Sequence, residues 1–180
     1  IDIPMDIQRS QIKLDVVGNL NSEIKAVNKF KNINSVINLL ISSKKPIIWA
    51  GNGIHTSNSE DLFREFVETS NIPSVFTLHG IDILSYSDPK RIGFIGSYGN
   101  RAANKVVKEA DCIIFLGSRI DIRQTGSNMS IFENKKLIRV DCEEGELTNR
   151  LIPTIKINSD LKVFLSELLI KVKGVKFKLD

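Results

Sequence analysis

The sequence predicts an α/β domain with a doubly wound, Rossmann-like parallel sheet of five or six strands and helices on both faces. Two observations predict this fold. Short apolar runs alternate along the chain with segments of helical period, and glycines or charged residues follow the apolar runs. Strands that alternate with helices in this way are typical of parallel sheets.

Five strands are predicted from the apolar runs. The first run, PIIWA, is too short for a buried helix and is bounded by turn signals, which favours a strand. A proline stands at or just before the start of the first, second and fifth runs. In chain order, the predicted strands are residues 46–50, 74–78, 112–116, 137–141 and 154–157.

Four helices are predicted between and after these strands. Their apolar residues recur at helical spacing, and polar residues such as Ser57 or Ser59 stand where an N-cap is expected. The predicted helices are residues 34–41, a segment that begins after Ser57 or Ser59, about 100–110, and 159–170.

The ends of the chain fall outside this alternation. Residues 1–8 are expected to be the end of a strand that runs into a linker, and residues 9–31 an irregular connector, because they are polar and show no sustained period. The domain itself is expected over residues 32–171, with a basic tail at 172–180. The chain starts at Ile1, in a strand-like segment without an obvious partner, which suggests a piece of a longer protein.

The amino-acid composition argues against nucleic-acid binding and against a membrane-spanning segment. A chain of 180 residues with 42% hydrophobic and 26% charged residues can form one sizeable core. The net charge of +4 comes partly from lysines in the last ten residues, and no basic stripe is interleaved with aromatics, so nucleic-acid binding is not expected. No apolar run approaches the roughly 18 residues of a membrane span. Neither a signal peptide nor a membrane partner is expected.

The two cysteines predict a cellular location. Cys112 and Cys142 both lie in apolar runs that resemble central strands, so they are expected to be reduced core thiols of a cytoplasmic protein. A metal site would need more ligands nearby than the sequence offers.

The most informative stretch is residues 92–126. A glycine turn at Gly96 and Gly99 precedes a predicted helix, and the strand that follows ends in Gly117, Ser118 and Arg119. Glycines let backbone amides approach a ligand, and a helix N-terminus favours an anion. The stretch therefore predicts a phosphate cradle, although a plain turn explains the glycines as well.

The other predicted strands also end in polar residues. Arginine can hold a phosphate with two hydrogen bonds, and an acid at a strand end commonly binds ribose hydroxyls. Together the polar strand ends imply a ligand with a diphosphate and a sugar or sugar-alcohol chain. The alternative is that the glycines only form turns and the arginines only pair with Asp121. The polar strand ends are Gly51-Asn52-Gly53, His79-Gly80, Gly117-Ser118-Arg119 with Asp121 and Arg123, and Asp141 with Glu143.

Four motifs resemble a known family. The run ADCIIFLGSRIDIRQTG resembles the A-D-x-x-x-x-x-G-x-R-x-D-x-R-x-T-G signature in the central domain of thiamine-diphosphate-dependent enzymes of the acetolactate synthase type. LIRVDCEEGEL resembles that domain's strand followed by an acidic turn, and PIIWAGNGI its opening strand with a Gly-x-Gly end. IDIPMDIQ resembles the end of the preceding pyrimidine-binding domain, which implies that residues 1–8 belong to that domain.

The resemblance implies a cofactor for the predicted cleft. In the acetolactate synthase branch this domain binds FAD in an extended form, whereas related branches bind ADP or nothing. Two departures put the position of the diphosphate in question: Asn52 stands where a third glycine is common, and Ser97-Tyr98 replaces a Met-His-like pair. The matching positions are Gly51, Gly53, Thr77, Leu78, Gly96, Gly117, Arg119, Asp121, Arg123 and Asp141.

The resemblance also implies a parent enzyme. The family cleaves or joins bonds next to a 2-keto acid carbonyl by thiamine diphosphate chemistry. The activating glutamate lies in the preceding pyrimidine-binding domain, and the magnesium and diphosphate site in the domain that follows. The chain is therefore expected to be inactive by itself, a structural and cofactor-holding part of a homodimer or homotetramer.

Two other functions compete with this interpretation. AGNGIHTS and LHG resemble elements of NAD-dependent sirtuin deacylases, but that family's Gln-Asn-Ile-Asp stretch is missing and two cysteines cannot form its four-cysteine zinc site. A stand-alone flavin or nucleotide carrier of the electron-transfer-flavoprotein type is the second alternative.

Overall fold

Six strands form the centre of the domain in a computed structural model, which describes residues 2–11, 32–177 and 179–180. The strands are β1 (Pro46–Ala50), β2 (Ser74–Phe76), β3 (Arg91–Phe94), β4 (Cys112–Leu116), β5 (Lys136–Asp141) and β6 (Ile155–Asn158). All neighbouring pairs are parallel, and the spatial order is β3-β2-β1-β4-β5-β6. The order reverses direction between β1 and β4, as in doubly wound folds, so the predicted fold class is confirmed.

The helices connect and cover these strands. They are α1 (Met5–Gln8), α2 (Ile33–Ile41), α3 (Gly53–Thr56), α4 (Glu60–Ser70), α5 (Arg101–Glu109), α6 (Ile122–Thr125) and α7 (Leu161–Val172). Short 3₁₀ turns lie at Leu78–Gly80, Met129–Phe132 and Glu144–Thr148.

The two faces of the sheet bury separate apolar layers. In β1, Ile48 and Ala50 face the layer that contains residues of α2, α4 and α7, whereas Ile47 and Trp49 face the layer that contains residues of α5. Every residue of β1 and β4 is buried. Burial on both faces explains why these strands are continuous apolar runs rather than alternating ones.

Three local predictions were wrong. Residues 91–94 form an edge strand that was not predicted, because Gly93, at φ +132°, interrupts the apolar run beside a register shift in β2. The second strand ends at Phe76 instead of residue 78, since Leu78 enters a 3₁₀ turn. Residues 5–8 are helical instead of the end of a strand. Most of the predicted connector, residues 12–31, lies outside the described residues.

His55 joins three segments near the cleft. Its Nδ1 lies 2.8 Å from Glu60 Oε1 at the start of α4, and its Nε2 lies 2.9 Å from Asp82 Oδ1 in the loop after the 78–80 turn. Hydrogen bonds that His55 donates to Glu60 and Asp82 raise the pKa of His55 above its ordinary 6.5. The same contacts lower the pKa of each carboxyl below its ordinary value.

We expect His55→Asn to lower the free energy of unfolding by about 0.5–1 kcal/mol at pH 6, a value typical of partly exposed ion pairs. Because the pKa of His55 is raised in the folded state, its contribution to the free energy of unfolding is greatest below the unfolded pKa of 6.5. That contribution is lost as the pH rises through the folded pKa. The loss of stability caused by His55→Asn should therefore be smaller at pH 9 than at pH 6, and urea unfolding at both pH values measures it. His79→Asn is the matched control, since no ion pair of His79 is found in the described part of the chain. An equal cost of His55→Asn at both pH values would contradict this account.

Candidate nucleotide cleft

A cleft opens where the strand order reverses. All strands are parallel, so their carboxyl ends meet at one edge, and a cleft of about 1140 Å³ lies beyond that edge. Crevices at this point bind ligands in open α/β sheets. Most of the predicted ligand positions line it, namely Asn52, Gly53, Thr77, Leu78, Gly117, Arg119, Asp121, Arg123 and Asp141.

Glycines hold the two central loops together. Gly53 N donates to Gly117 O at 2.9 Å, and Gly51 N donates to Leu116 O at 2.9 Å. A methyl group on Gly117 would lie 2.5 Å from Gly53 Cα, and Gly117 has φ +56°. Gly53 and Gly117 thus let the loops after β1 and β4 touch. Gly51 is buried behind this contact and is not among the described residues that line the cleft.

The turn at Gly96 positions a neighbouring loop. Gly96 has φ +114°, and a methyl group there would lie 2.5 Å from Arg123 O, to which Ser97 N donates at 2.8 Å. Of the described residues in this turn, Tyr98 lines the cleft, whereas Gly96 and Ser97 do not. The backbone of Gly96 and Ser97 therefore contacts the Arg123 segment without lining the cleft.

The start of α5 is not part of the cleft. Asn100 caps that helix, and its Oδ1 accepts a hydrogen bond from Ala103 N at 2.7 Å. Neither Asn100 nor the first turn of α5 is found among the described lining residues. The phosphate cradle predicted from the N-terminus of this helix is corrected accordingly, because that end lies outside the cleft lining and is capped by Asn100.

Arg119 pairs with acids on the neighbouring strand end. Its Nη2 lies 3.3 Å from Glu143 Oε2, and its Nε lies 3.3 Å from Glu146 Oε1. The alternative in which Arg119 pairs with Asp121 is wrong, since Asp121 Oδ1 caps α6 and accepts hydrogen bonds from the Arg123 and Gln124 amides. A guanidinium thus stands in the cleft wall with its charge partly balanced.

A buried arginine supports this pair from beneath. Arg139, in the middle of β5, is 1% exposed and donates to Asn149 O at 2.8 Å and Ser118 O at 3.4 Å. Its Nη2 also lies 4.0 Å from Glu146 Oε2. Burial lowers the pKa of Arg139, and Asp141 and Glu146 oppose that change. The roles of Arg139 and Glu146 were missed, although a charged residue inside an apolar run was a usable signal.

Asp141 and Cys142 stand at the end of β5. Asp141 lines the cleft, and burial raises the pKa of its carboxyl. Cys142 also lines the cleft and is exposed, so the prediction that it is a core thiol is wrong, because it lies one residue beyond the strand. Cys112 is buried as predicted, and burial raises its thiol pKa to about 11.

The cleft wall carries more acids than arginines. Arg119 and Arg123 face five carboxylates, which are Asp121, Asp141, Glu143, Glu146 and Asp160. Two of these acids cap helices: Asp121 caps α6 and Asp160 caps α7. Within the described part of the chain, the Arg123 side chain has no ion-pair partner. Arg123 is consequently the cation most available to an anionic ligand.

None of the helices within 2–11, 32–177 and 179–180 is long and apolar enough to cross a membrane. The same residues contain no group of three His, Cys, Asp or Glu side chains placed to hold a metal ion.

Comparison with known proteins identifies the family. The family model for the thiamine pyrophosphate enzyme, central domain, matches residues 33–168. The chain is 38% identical to the acetolactate synthase large subunit of Lactococcus lactis over 175 residues, which cover 94% of the chain and 30% of the relative. It is 31% identical to the probable acetolactate synthase large subunit of Methanococcus aeolicus, covering 94% of the chain and 29% of the relative.

A plant relative shows the same partial coverage. Acetolactate synthase 1, chloroplastic, of Nicotiana tabacum is 31% identical over the whole chain, which covers 28% of that relative. The chain thus spans about 30% of the length of the curated relatives it matches. These matches support neither the sirtuin nor the electron-transfer-flavoprotein alternative. The family model covers most of the chain, so the chain belongs to the thiamine pyrophosphate enzymes and carries their central domain.

Proposed function

We propose that the cleft of this central domain binds an adenine nucleotide cofactor, FAD or ADP. One observation carries the proposal: the ends of β1, β4 and β5 bring Gly53, Gly117, Arg119 and Asp141 to one crevice where the strand order reverses. This is the position at which doubly wound sheets bind nucleotides.

The chemistry of the lining suits the parts of such a ligand. Arg119 and Arg123 would hold the diphosphate, and Asp141 would accept from ribose hydroxyls. Leu78 and Tyr98 line the cleft and are 62% and 86% exposed, so they offer apolar surface to a ring system. The volume of about 1140 Å³ is slightly above the range of about 300–1,000 Å³ that is usual for small-molecule sites, which supports a ligand of dinucleotide size.

The activity of the whole protein is a further part of the proposal. We propose a thiamine-diphosphate-dependent lyase or transferase that acts next to a 2-keto acid carbonyl, with residues 32–171 as its central domain. Thiamine diphosphate, together with Mg²⁺, would supply the carbon–carbon chemistry from the flanking pyrimidine-binding and diphosphate-binding domains. Residues 1–8 and 172–180 would lead to these domains. We also propose that the parent is a cytoplasmic homodimer or homotetramer.

Calorimetric titration of the 180-residue chain with ADP and FAD tests the cofactor site. Arg119→Ala should weaken the binding of either ligand by about 1.5–3 kcal/mol, because a charge-assisted hydrogen bond to the diphosphate is lost. Lys176→Ala, which also removes one positive charge from an exposed position outside the cleft, should leave the affinity unchanged.

Two outcomes would contradict the proposal. Failure of both ADP and FAD to bind the parent chain at millimolar concentration would leave the cleft with a structural role only. Equal affinities of the parent, Arg119→Ala and Lys176→Ala would remove Arg119 from the site.

A further inference from the structure

Glu143 pairs with Arg119 Nη2, a nitrogen that a ligand phosphate would also need. Arg119 uses two nitrogens in ion pairs, Nε with Glu146 and Nη2 with Glu143. A phosphate that binds the guanidinium through two parallel hydrogen bonds requires adjacent N–H groups. Both pairs of adjacent N–H groups on a guanidinium, Nε with Nη2 and Nη1 with Nη2, include Nη2, so such a phosphate competes with Glu143 for that nitrogen.

The two glutamates differ in how firmly they are held. Glu146 has a side chain that is 13% exposed, and its Oε2 lies near Arg139 and accepts from Asn149 Nδ2 at 3.3 Å. The Glu143 side chain is 60% exposed, and Arg119 is its one ion-pair partner in the described part of the chain. Glu143 is therefore the partner that a ligand can replace at low cost, while Glu146 keeps the inner side of Arg119 in place.

The surrounding charges strengthen this competition. The lining holds five carboxylates against two arginines, so an incoming phosphate meets repulsion wherever a carboxylate is near. Removing the charge of Glu143 would remove both a competitor for Arg119 and a source of repulsion. Other acids in the cleft, such as Asp121 and Asp160, are engaged as helix caps and do not contact Arg119.

We propose that Glu143 is a specificity residue that competes with the ligand's phosphates for Arg119. This inference depends on the proposed function, since it assumes that a nucleotide enters the cleft. A diphosphate carries enough charge to displace Glu143, whereas a nucleoside without phosphate does not interact with Arg119. Glu143 thereby lowers the affinity of the cleft for ligands that carry phosphate and leaves the affinity for a nucleoside unchanged.

The test compares Glu143→Gln with Glu144→Gln in the 180-residue chain. Both substitutions remove one negative charge in the same loop, but Glu144 is exposed, is not a described lining residue and has no ion pair within the described residues. We expect Glu143→Gln to bind ADP about twofold to fivefold more tightly than the parent at low salt, as the strength of an exposed ion pair implies. Glu144→Gln should change the affinity less than twofold.

Adenosine and a double variant provide two further measurements. Adenosine should bind the parent and Glu143→Gln with equal affinity, because it carries no phosphate. The gain for ADP should disappear when Glu143→Gln is combined with Arg119→Ala, and it should decrease as salt screens the charges.

Each outcome has a distinct meaning. If ADP binds the parent but Glu143→Gln and Glu144→Gln have equal affinities, the role of Glu143 is overturned while the proposed function stands. A gain for Glu143→Gln that persists without Arg119 overturns the competition for that arginine. If ADP and FAD bind none of these chains, both the proposed function and the role of Glu143 are overturned.

Discussion

Arg139→Met should lower the free energy of unfolding by about 3 kcal/mol, which is the scale for breaking a buried ion pair by removing one partner. Methionine can fill much of the space of the buried arginine, but it cannot donate hydrogen bonds. The carbonyls of Asn149 and Ser118 would lose their donor, and Glu146 would lose the cation beneath it. Chemical unfolding of the parent and the variant measures the difference.

A double-mutant cycle separates the ion pair from simple loss of packing. The double variant Arg139→Met with Glu146→Gln should lose less free energy of unfolding than the sum of the two single variants. The reason is that Arg139→Met has already removed a cation from Glu146, so removing the carboxylate charge then costs less. Arg101→Met, at an exposed position in α5, should change stability by less than about 0.5 kcal/mol. Strict additivity in the cycle would show that Arg139 and Glu146 do not interact.

Gly117→Ala should destabilise the domain by about 2–5 kcal/mol and weaken nucleotide binding. Alanine at φ +56° costs about 1–2 kcal/mol, and overpacking adds about 1–3 kcal/mol. The new methyl group would lie 2.5 Å from Gly53 Cα and 2.6 Å from Leu161 Cδ1, so the loops after β1 and β4 must separate. Thermal unfolding and ADP titration of the same variant measure both effects.

Gly126→Ala is the matched control for this substitution. Gly126 also has a positive φ, of +70°, but a methyl group there would have nothing within 4 Å. Its ψ of −175° places it in an extended region that is essentially restricted to glycine, so Gly126→Ala should show only a backbone cost of about 1–3 kcal/mol. Similar losses in Gly117→Ala and Gly126→Ala would contradict the close contact between the two loops.

The sequence was sufficient for the central strands because both faces of the sheet are buried. PIIWA and CIIFL are continuous apolar runs, and they form β1 and β4 with the predicted bounds. Strand β3 was missed because it lies at the edge of the sheet, where Arg91 and Gly93 replace part of the apolar pattern. Edge position and a register shift depend on tertiary pairing, which local periodicity does not report.

The candidate site was predictable in location but less so in detail. Parallel strands bring their carboxyl ends to one edge, so the positions of Gly53, Gly117 and Arg119 followed from the strand assignment. The pairing of Arg119 with Glu143 and Glu146 could not be read from the sequence, since Asp121 is nearer along the chain but is used as a helix cap. Spacing alone does not separate a glycine that faces a ligand from one that packs against backbone, as Gly96 does.

Backbone amide chemical shifts during titration of the 180-residue chain with ADP test the central claim most directly. We expect the largest changes at Gly53, Gly117 and Arg119, beyond the carboxyl ends of β1 and β4. A smaller pocket of about 240 Å³ lies at the opposite edge of the sheet and includes Lys45 and Ile47, whose amides should not shift. Changes confined to Lys45 and Ile47, or no changes at saturating ADP, would contradict a nucleotide site in the cleft.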